Sequence, residues 1–151
     1  MQRLLGTLLA LLIGWGALQW WQHRPLTQPP GVLAPNIPEQ VDLDDGARLQ
    51  RDDITLVTRA HFELTARLLS RETYHFDAGS ALSPIDFALG WGRMSDSAVL
   101  AKIDISQGNR FFYWEVDQYP IPRREIEVSS ANMHLIPADP GVRRMLERMR
   151  P

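Results

Sequence analysis

The chain changes character along its length. "MQRLLGTLLALLIGWGALQWWQHR" carries no charged side chain between Arg3 and Arg24. Residues 4–21 are 18 positions made mostly of Leu, Ala, Gly and Trp. Wound as a helix at about 1.5 Å per residue they would reach roughly 27 Å, enough for a bilayer core. The pattern predicts an N-terminal transmembrane helix over residues 1–24. A cleaved signal peptide is the alternative, but a peptidase site needs small residues at alternate positions. The segment instead ends "GALQWWQH", which predicts that the helix is retained. Trp20 and Trp21 then sit at the lipid–water interface, with Arg3 and the free amine at the cytoplasmic end. Membrane contact is expected through residues 4–21. The rest of the chain is expected in the periplasm or outside the cell.

Residues 25–53 alternate little. "PLTQPPGVLAPNIP" holds five prolines, and Pro-rich chain is extended at about 3.1 Å per residue, so this piece predicts a stalk of about 40 Å. "EQVDLDDGARLQRDD" follows with six acids and two Arg. It fails as a calcium loop, because Gly46 falls where a ligand belongs and Ala47 where the turn glycine belongs. It is expected to be a solvated lead-in.

Residues 54–151 predict one globular domain. "ITLVTRAHFELTARLL" alternates, with Ile54, Leu56, Phe62, Leu64 and Leu68 on one face and Arg59, His61 and Glu63 on the other. That is the period of a half-buried strand, and its length calls for a bend or bulge. His61 lies on the polar face. "LSPIDFALGWG" predicts a short helix, with Ser83 as cap, Pro84 first and Asp86 three after the cap. Trp91, between two glycines, is expected to plug the core edge, and a second short helix is expected from Ser95. "AKIDISQGNRFFYWEV" predicts a hairpin turning at Gly108-Asn109. Its register would pair Gln107 with Arg110, Ile105 with Phe112, Ile103 with Trp114 and Lys102 with Glu115. "REIEVSS" predicts a further strand. "ADPGVRRMLERMRP" predicts a helix capped by Asp139 and opened by Pro140, with Val142, Met145, Leu146 and Met149 as a core stripe. The expected fold is α+β: an antiparallel sheet with short helices behind the transmembrane helix. A small OB-like β-barrel is the alternative.

Composition narrows function by exclusion. With 151 residues, 44% hydrophobic and 23% charged, the chain is an ordinary globular protein with room for one modest domain. A net charge of −2 gives no reason to expect nucleic acid as partner. The absence of cysteine removes thiol catalysis, disulfides and thiolate metal sites together. His23, His61, His75 and His134 show no H-x-x-x-H pair, so no metal and no cofactor is expected.

"SSANMHLIPADPG", residues 129–141, is the stretch most like a site. Pro137 pushes Ile136 toward an extended conformation, and the segment is expected to leave a strand and enter the cap of the last helix. Asn132 and His134 would then share a face, as a clamp on stranded backbone groups or a ligand-contacting surface requires. Candidate binding residues are Ser130, Asn132 and His134, with Asp86 and Trp91. A hydrolase reading would use His134 as base, Ser129 or Ser130 as nucleophile and Asp86 or Asp96 as orienter. No G-x-S-x-G elbow supports it.

"LSPIDFALGWGRMSD", "ISQGNRFFYW" and "SSANMHLIPA", in that order behind an N-terminal anchor, resemble a family of uncharacterised bacterial proteins. The resemblance covers roughly residues 54–150. It implies a membrane-attached bacterial protein and brings no activity or catalytic residues. In that family pattern a Gly-Asp and another strand follow the last helix, so the resemblance implies a missing C-terminal strand here. The expected function is a membrane-anchored extracytoplasmic module that binds or assembles with a protein partner. A structural subunit of a membrane complex, or the small hydrolase, is the alternative.

Overall fold

The computed structural model describes residues 2–151, and the side chains of all of these except 2–5, 8 and 19–23. The first segment is helical, α1 (Gln2–His23). Along its described part Leu9, Leu11, Leu12, Ile13, Trp15 and Leu18 are exposed. Among the described residues no helix is long and apolar enough to cross a membrane. The expected span over residues 4–21 includes positions whose side chains lie outside that description, and so do the interfacial places expected for Arg3, Trp20 and Trp21.

The Pro-rich segment does not run free throughout. Gly31 donates its N–H to Asp96 Oδ1 at 2.9 Å, and the N–H groups of Leu33 and Ala34 reach Ser95 Oγ at 3.1 and 3.0 Å. Gly92 N–H returns to Ala34 O at 2.8 Å, and Ala34 is buried. Residues 31–34 are thus strapped onto the domain.

Next comes a two-stranded ribbon. β1 (Glu39–Asp42) pairs with β4 (Ala60–Glu63), and β2 (Arg48–Arg51) with β3 (Ile54–Val57), all antiparallel. The two ladders are joined where Leu43 N–H meets Arg59 O and Thr58 N–H meets Ala47 O. Gly46 permits that join, because a Cβ there would stand 1.7 Å from Thr58 O. The expected long strand over 54–69 is therefore broken into β3, β4 and the start of β5 (Arg67–Thr73). The two-residue period survives: Leu56, Thr58 and Ala60 are less exposed than Thr55, Val57 and Arg59. Ile54 and Phe62 stay exposed because among the described residues no layer covers the ribbon, and His61 is exposed as read.

The domain centres on a three-stranded sheet in the order β5–β6–β9, where β6 is Ile85–Gly90 and β9 Ser130–Leu135. This corrects the helix expected from Ser83. Ile85, Asp86, Phe87 and Ala88 are all buried, so the strand is covered on both faces. A doubly buried strand reads as a continuous apolar run, which periodicity alone cannot distinguish from a helix. Ser83 caps nothing, and its Oγ is buried without a hydrogen bond. Gly90 ends the strand against the next turn, with room for no side chain: a Cβ would lie 2.3 Å from Met94 O. The chain then makes a 3-10 turn (Gly92–Ser95) and α2 (Ser97–Leu100), capped by Asp96 rather than Ser95, with Ala98 N–H on its carboxylate at 2.8 Å.

β7 (Asp104–Gly108) and β8 (Phe111–Glu115) form the expected hairpin, but the register differs. Gly108 faces Phe111, Gln107 faces Phe112, Ile105 faces Trp114, and Asp104 rather than Lys102 faces Glu115. The loop is Asn109-Arg110, at φ 52° and 69°, as a two-residue type I′ turn requires. The shift moves each partner by two positions, so the apolar face is kept. The run "REIEVSS" is not a strand. It forms α3 (Arg123–Val128), buries Ile126 completely and pairs Arg123 with Glu127 one turn on at 2.9 Å. The strand is instead β9, in the segment expected as a crossing.

α4 (Pro140–Arg148) starts as expected, with Asp139 accepting from Gly141 and Val142 N–H. Its stripe splits: Val142 and Leu146 are half-buried, while Met145 and Met149 are 58% and 44% exposed. Two apolar clusters cover the sheet. Met94, Ile103, Ile121 and Ile126 pack with Trp114 and the hairpin; Leu68, Ile85 and Phe87 pack with Leu135 and Leu146. β7 lies against β5 and β8 against β9, yet the hydrogen-bonded ladders remain separate small sheets rather than a closed OB-like barrel. The fold is α+β.

Candidate binding site

The antiparallel pairing of β6 and β9 sets Asp86 directly opposite His134, Ala88 opposite Asn132 and Gly90 opposite Ser130. Residues two apart on a strand share a face, so Asn132 and His134 point the same way, toward the β7–β8 hairpin. Asp86 is 0% exposed, and the Arg110 guanidinium and the His134 imidazole approach it. Arg110 NH1 donates to Oδ1 at 3.1 Å. His134 Nδ1 lies 2.8 Å from Oδ2. That is an ion-pair distance without the alignment of a hydrogen bond, so Oδ2 receives none. The His134 side chain is 52% exposed. The pair therefore has one dry end and one wet end, and presents an imidazole to solvent.

Arg110 is the hub. Its Nε and NH2 bond both oxygens of Asp77, at 3.0 and 2.7 Å, and NH1 also reaches Ser83 O at 2.7 Å. The guanidinium sits 3.8 Å from the centre of the Tyr74 ring. The hydrogen bonds to Asp77 hold that carboxyl below the usual carboxylate range and push the guanidinium higher still. Burial raises the Tyr74 phenol. The backbone of Arg110 is in the left-handed region, which costs a side-chain-bearing residue about 1 kcal/mol or more unless its surroundings hold it. They do: Arg110 N–H donates to Tyr74 Oη at 3.1 Å, and Asn132 Nδ2 donates to Arg110 O at 3.0 Å. Gln107 Nε2 in turn donates to Asn132 Oδ1 at 2.8 Å.

Asn132 is thus a clamp on the hairpin turn. His134 is tethered to Asp86 and half in solvent, so it belongs both to the clamp and to the surface. The other candidates lie elsewhere. Ser130 Oγ donates to Ile126 O at 2.7 Å, and Ser130 stands four residues along β9 from His134, about 13 Å at strand rise. Ser129 is buried, and its carbonyl accepts the backbone N–H of Trp91 at 2.9 Å. Trp91 is itself buried at the core edge. Asp96 caps α2 and holds the strap. The structure therefore joins Asp86 to His134 and keeps both serines and Asp96 away from them. Among the described residues no group of three His, Asp or Glu could hold a metal ion. Sequence reasoning missed Arg110, Asp77 and Tyr74. The available signal was Asn109-Arg110 itself, two residues without Gly at the tip of a tight hairpin, where a positive φ needs outside support.

Comparison of the chain with protein-family models, with characterised proteins and with solved structures found no match.

Proposed function

We propose that this protein is a membrane-anchored extracytoplasmic module that assembles with a protein partner. The observation that carries this is the ribbon of residues 39–63. Val41, Leu43, Leu49, Ile54, Val57 and Phe62 are all exposed on it. A two-stranded ribbon is marginal alone in water. Apolar side chains and open strand edges together mark a surface that gains by being covered. The exposed apolar residues of α1 support the anchor, and the Ser95–Asp96 strap ties residues 31–34 of the following Pro-rich segment to the domain. The resemblance to membrane-attached bacterial proteins points the same way. The Asp86–Arg110–His134 cluster fits a held surface better than a hydrolase, since neither serine reaches His134.

The test is photo-crosslinking in native membranes from a reactive residue at Leu49 or Phe62 of the full chain. A discrete protein adduct is expected, abolished by Leu49→Asp in the Phe62-labelled chain and by Phe62→Asp in the Leu49-labelled chain. Absence of any adduct from both positions would refute the reading. A partner recovered in fixed stoichiometry would identify a structural subunit. Mass spectrometry of the membrane-derived protein should find residues 1–24 attached.

A further inference from the structure

The outward face of α4 combines two chemistries. Arg144, Met145 and Arg148 are exposed on one face of α4, and Met149, its C-cap residue, is exposed beside them. The opposite face is committed to the domain. Leu146 packs on the Leu68–Phe87 cluster. Residues 140–151 hold four Arg, at 143, 144, 148 and 150, against the single acid Glu147. An exposed row of flexible apolar side chains between cations is the pattern of a helix lying in a lipid interface.

The position of α4 says which surface it meets. Arg71 of β5 donates to the carbonyls of Glu147 and Met149, which fixes the C-terminal end of the helix. Burial lowers the Arg71 guanidinium, countered by Glu147. Leu26 N–H donates to Pro151 O. Leu26 stands three residues beyond the end of α1 at His23, and three extended residues reach about 10 Å at most. Pro151, three residues past the end of α4, is therefore tied to the first stretch of chain leaving α1. The headgroup layer on each side of a bilayer is about 5–8 Å thick. Pro151, held within about 10 Å of the end of α1, lies near the headgroup layer, and Arg148 at the end of α4 stands three residues before it.

We propose that the Arg144–Met145–Arg148–Met149 face of α4 rests on the membrane that holds α1, with the methionines in the interface and the arginines on anionic headgroups. This rests on the anchored reading of α1. The two Arg side chains reach phosphate while their stems cover apolar surface. The domain then stands on two contacts, helix and face, which set its orientation and lift the ribbon of residues 39–63 into a defined direction.

The chain has no cysteine, so a single introduced one reports one place. The full chain is reconstituted into vesicles of phosphatidylcholine, with or without phosphatidylglycerol. It carries an environment-sensitive fluorophore at Met149→Cys, at Leu12→Cys in α1, or at Asp53→Cys on the ribbon. Headgroup-nitroxide lipid is expected to quench the label at 149, more strongly with phosphatidylglycerol and less at high salt. Arg144→Gln and Arg148→Gln should each cut the lipid-bound to free ratio about fivefold. Acyl-chain nitroxide should quench the label at 12 throughout, and the label at 53 should stay open to aqueous quencher. A label at 149 untouched by lipid while the label at 12 is quenched overturns the proposal and leaves the anchor standing. A label at 149 shielded from aqueous quencher and also unreached by lipid nitroxide overturns it in favour of a protein cover. Loss of quenching at both 12 and 149 overturns the anchor and the proposal together.

Discussion

Replacing Arg110 by Met keeps an apolar stem near Tyr74 and removes the charge. Asp86 is then left with His134 alone, at 2.8 Å. Breaking a buried ion pair from one side costs about 3–5 kcal/mol, because the remaining charge is uncompensated. The Arg110 side chain is 22% exposed, so water reaches part of the site. That puts the expected loss at about 2–3 kcal/mol. Asp86→Asn keeps the shape and an acceptor for the guanidinium at 3.1 Å, and Arg110 keeps Asp77. It exchanges a charge-assisted hydrogen bond for an ordinary one, at about 1 kcal/mol. The double variant holds no stranded carboxylate at this position. It should lose about 1–2 kcal/mol, less than the sum of the singles, giving a coupling of about 1.5–2 kcal/mol. The assay is urea unfolding of residues 25–151, followed by the emission of Trp91 and Trp114, with unchanged m-values as the condition for comparing midpoints. Singles that add to within about 0.5 kcal/mol would refute the reasoning. The hairpin tip would then be held by Asp77 and its backbone bonds, and Asp86 would not organise it.

Gly90→Ala should be among the most damaging small substitutions, because the new Cβ meets the Met94 carbonyl at 2.3 Å and backbone must move; an unchanged melting temperature would contradict the close approach. Ser95→Ala removes the acceptor for Leu33 and Ala34 and the donor to Gly92 O, so the strap should loosen and proteolysis between residues 25 and 34 should speed up ahead of any cleavage in the domain. Asp104 faces Glu115 across the hairpin, so Asp104→Lys should stabilise by about 0.2–1 kcal/mol in chemical denaturation, whereas pairing with Lys102 would predict no gain. Asp77 is held low by Arg110, Asp96 by the N–H groups of Gly31 and Ala98, and Asp139 by those of Val142 and Gly141. Their folded values lie below their unfolded ones, so their contribution is complete above about pH 4 and is lost as pH falls through the folded values. The urea midpoint of the native chain should therefore drop below about pH 4, and more steeply than in an Asp96→Asn, Asp139→Asn variant; equal slopes would sink this assignment.

Local pattern was enough wherever a signal is complete within one segment. The uncharged run after Arg3 is helical, Asp139 and Pro140 open α4, the period of two persists over residues 55–61, and the hairpin forms around residues 108–111. Each depends on neighbours a few positions apart. Local pattern failed where identity depends on what packs from far away. Residues 85–90 read as a helix because a strand covered on both faces shows no alternation, and only β5 and β9 on its two edges reveal it. "REIEV" alternates like a strand, yet only Ile126 has a core to enter, and a helix buries that one side chain while pairing Arg123 with Glu127. The hairpin tip moved by one residue because Asn109 and Arg110 both adopt positive φ, a strain that Tyr74 and Asn132, 36 and 22 residues from Arg110, hold in place. Asn132 and His134 could be put on one face from sequence, since that needs only an extended backbone. That His134 would meet Asp86, and that Arg110 would reach the same carboxylate, had no local signal. A buried charge is stable only beside its partners, and strand pairing and a turn elsewhere in the chain supply them.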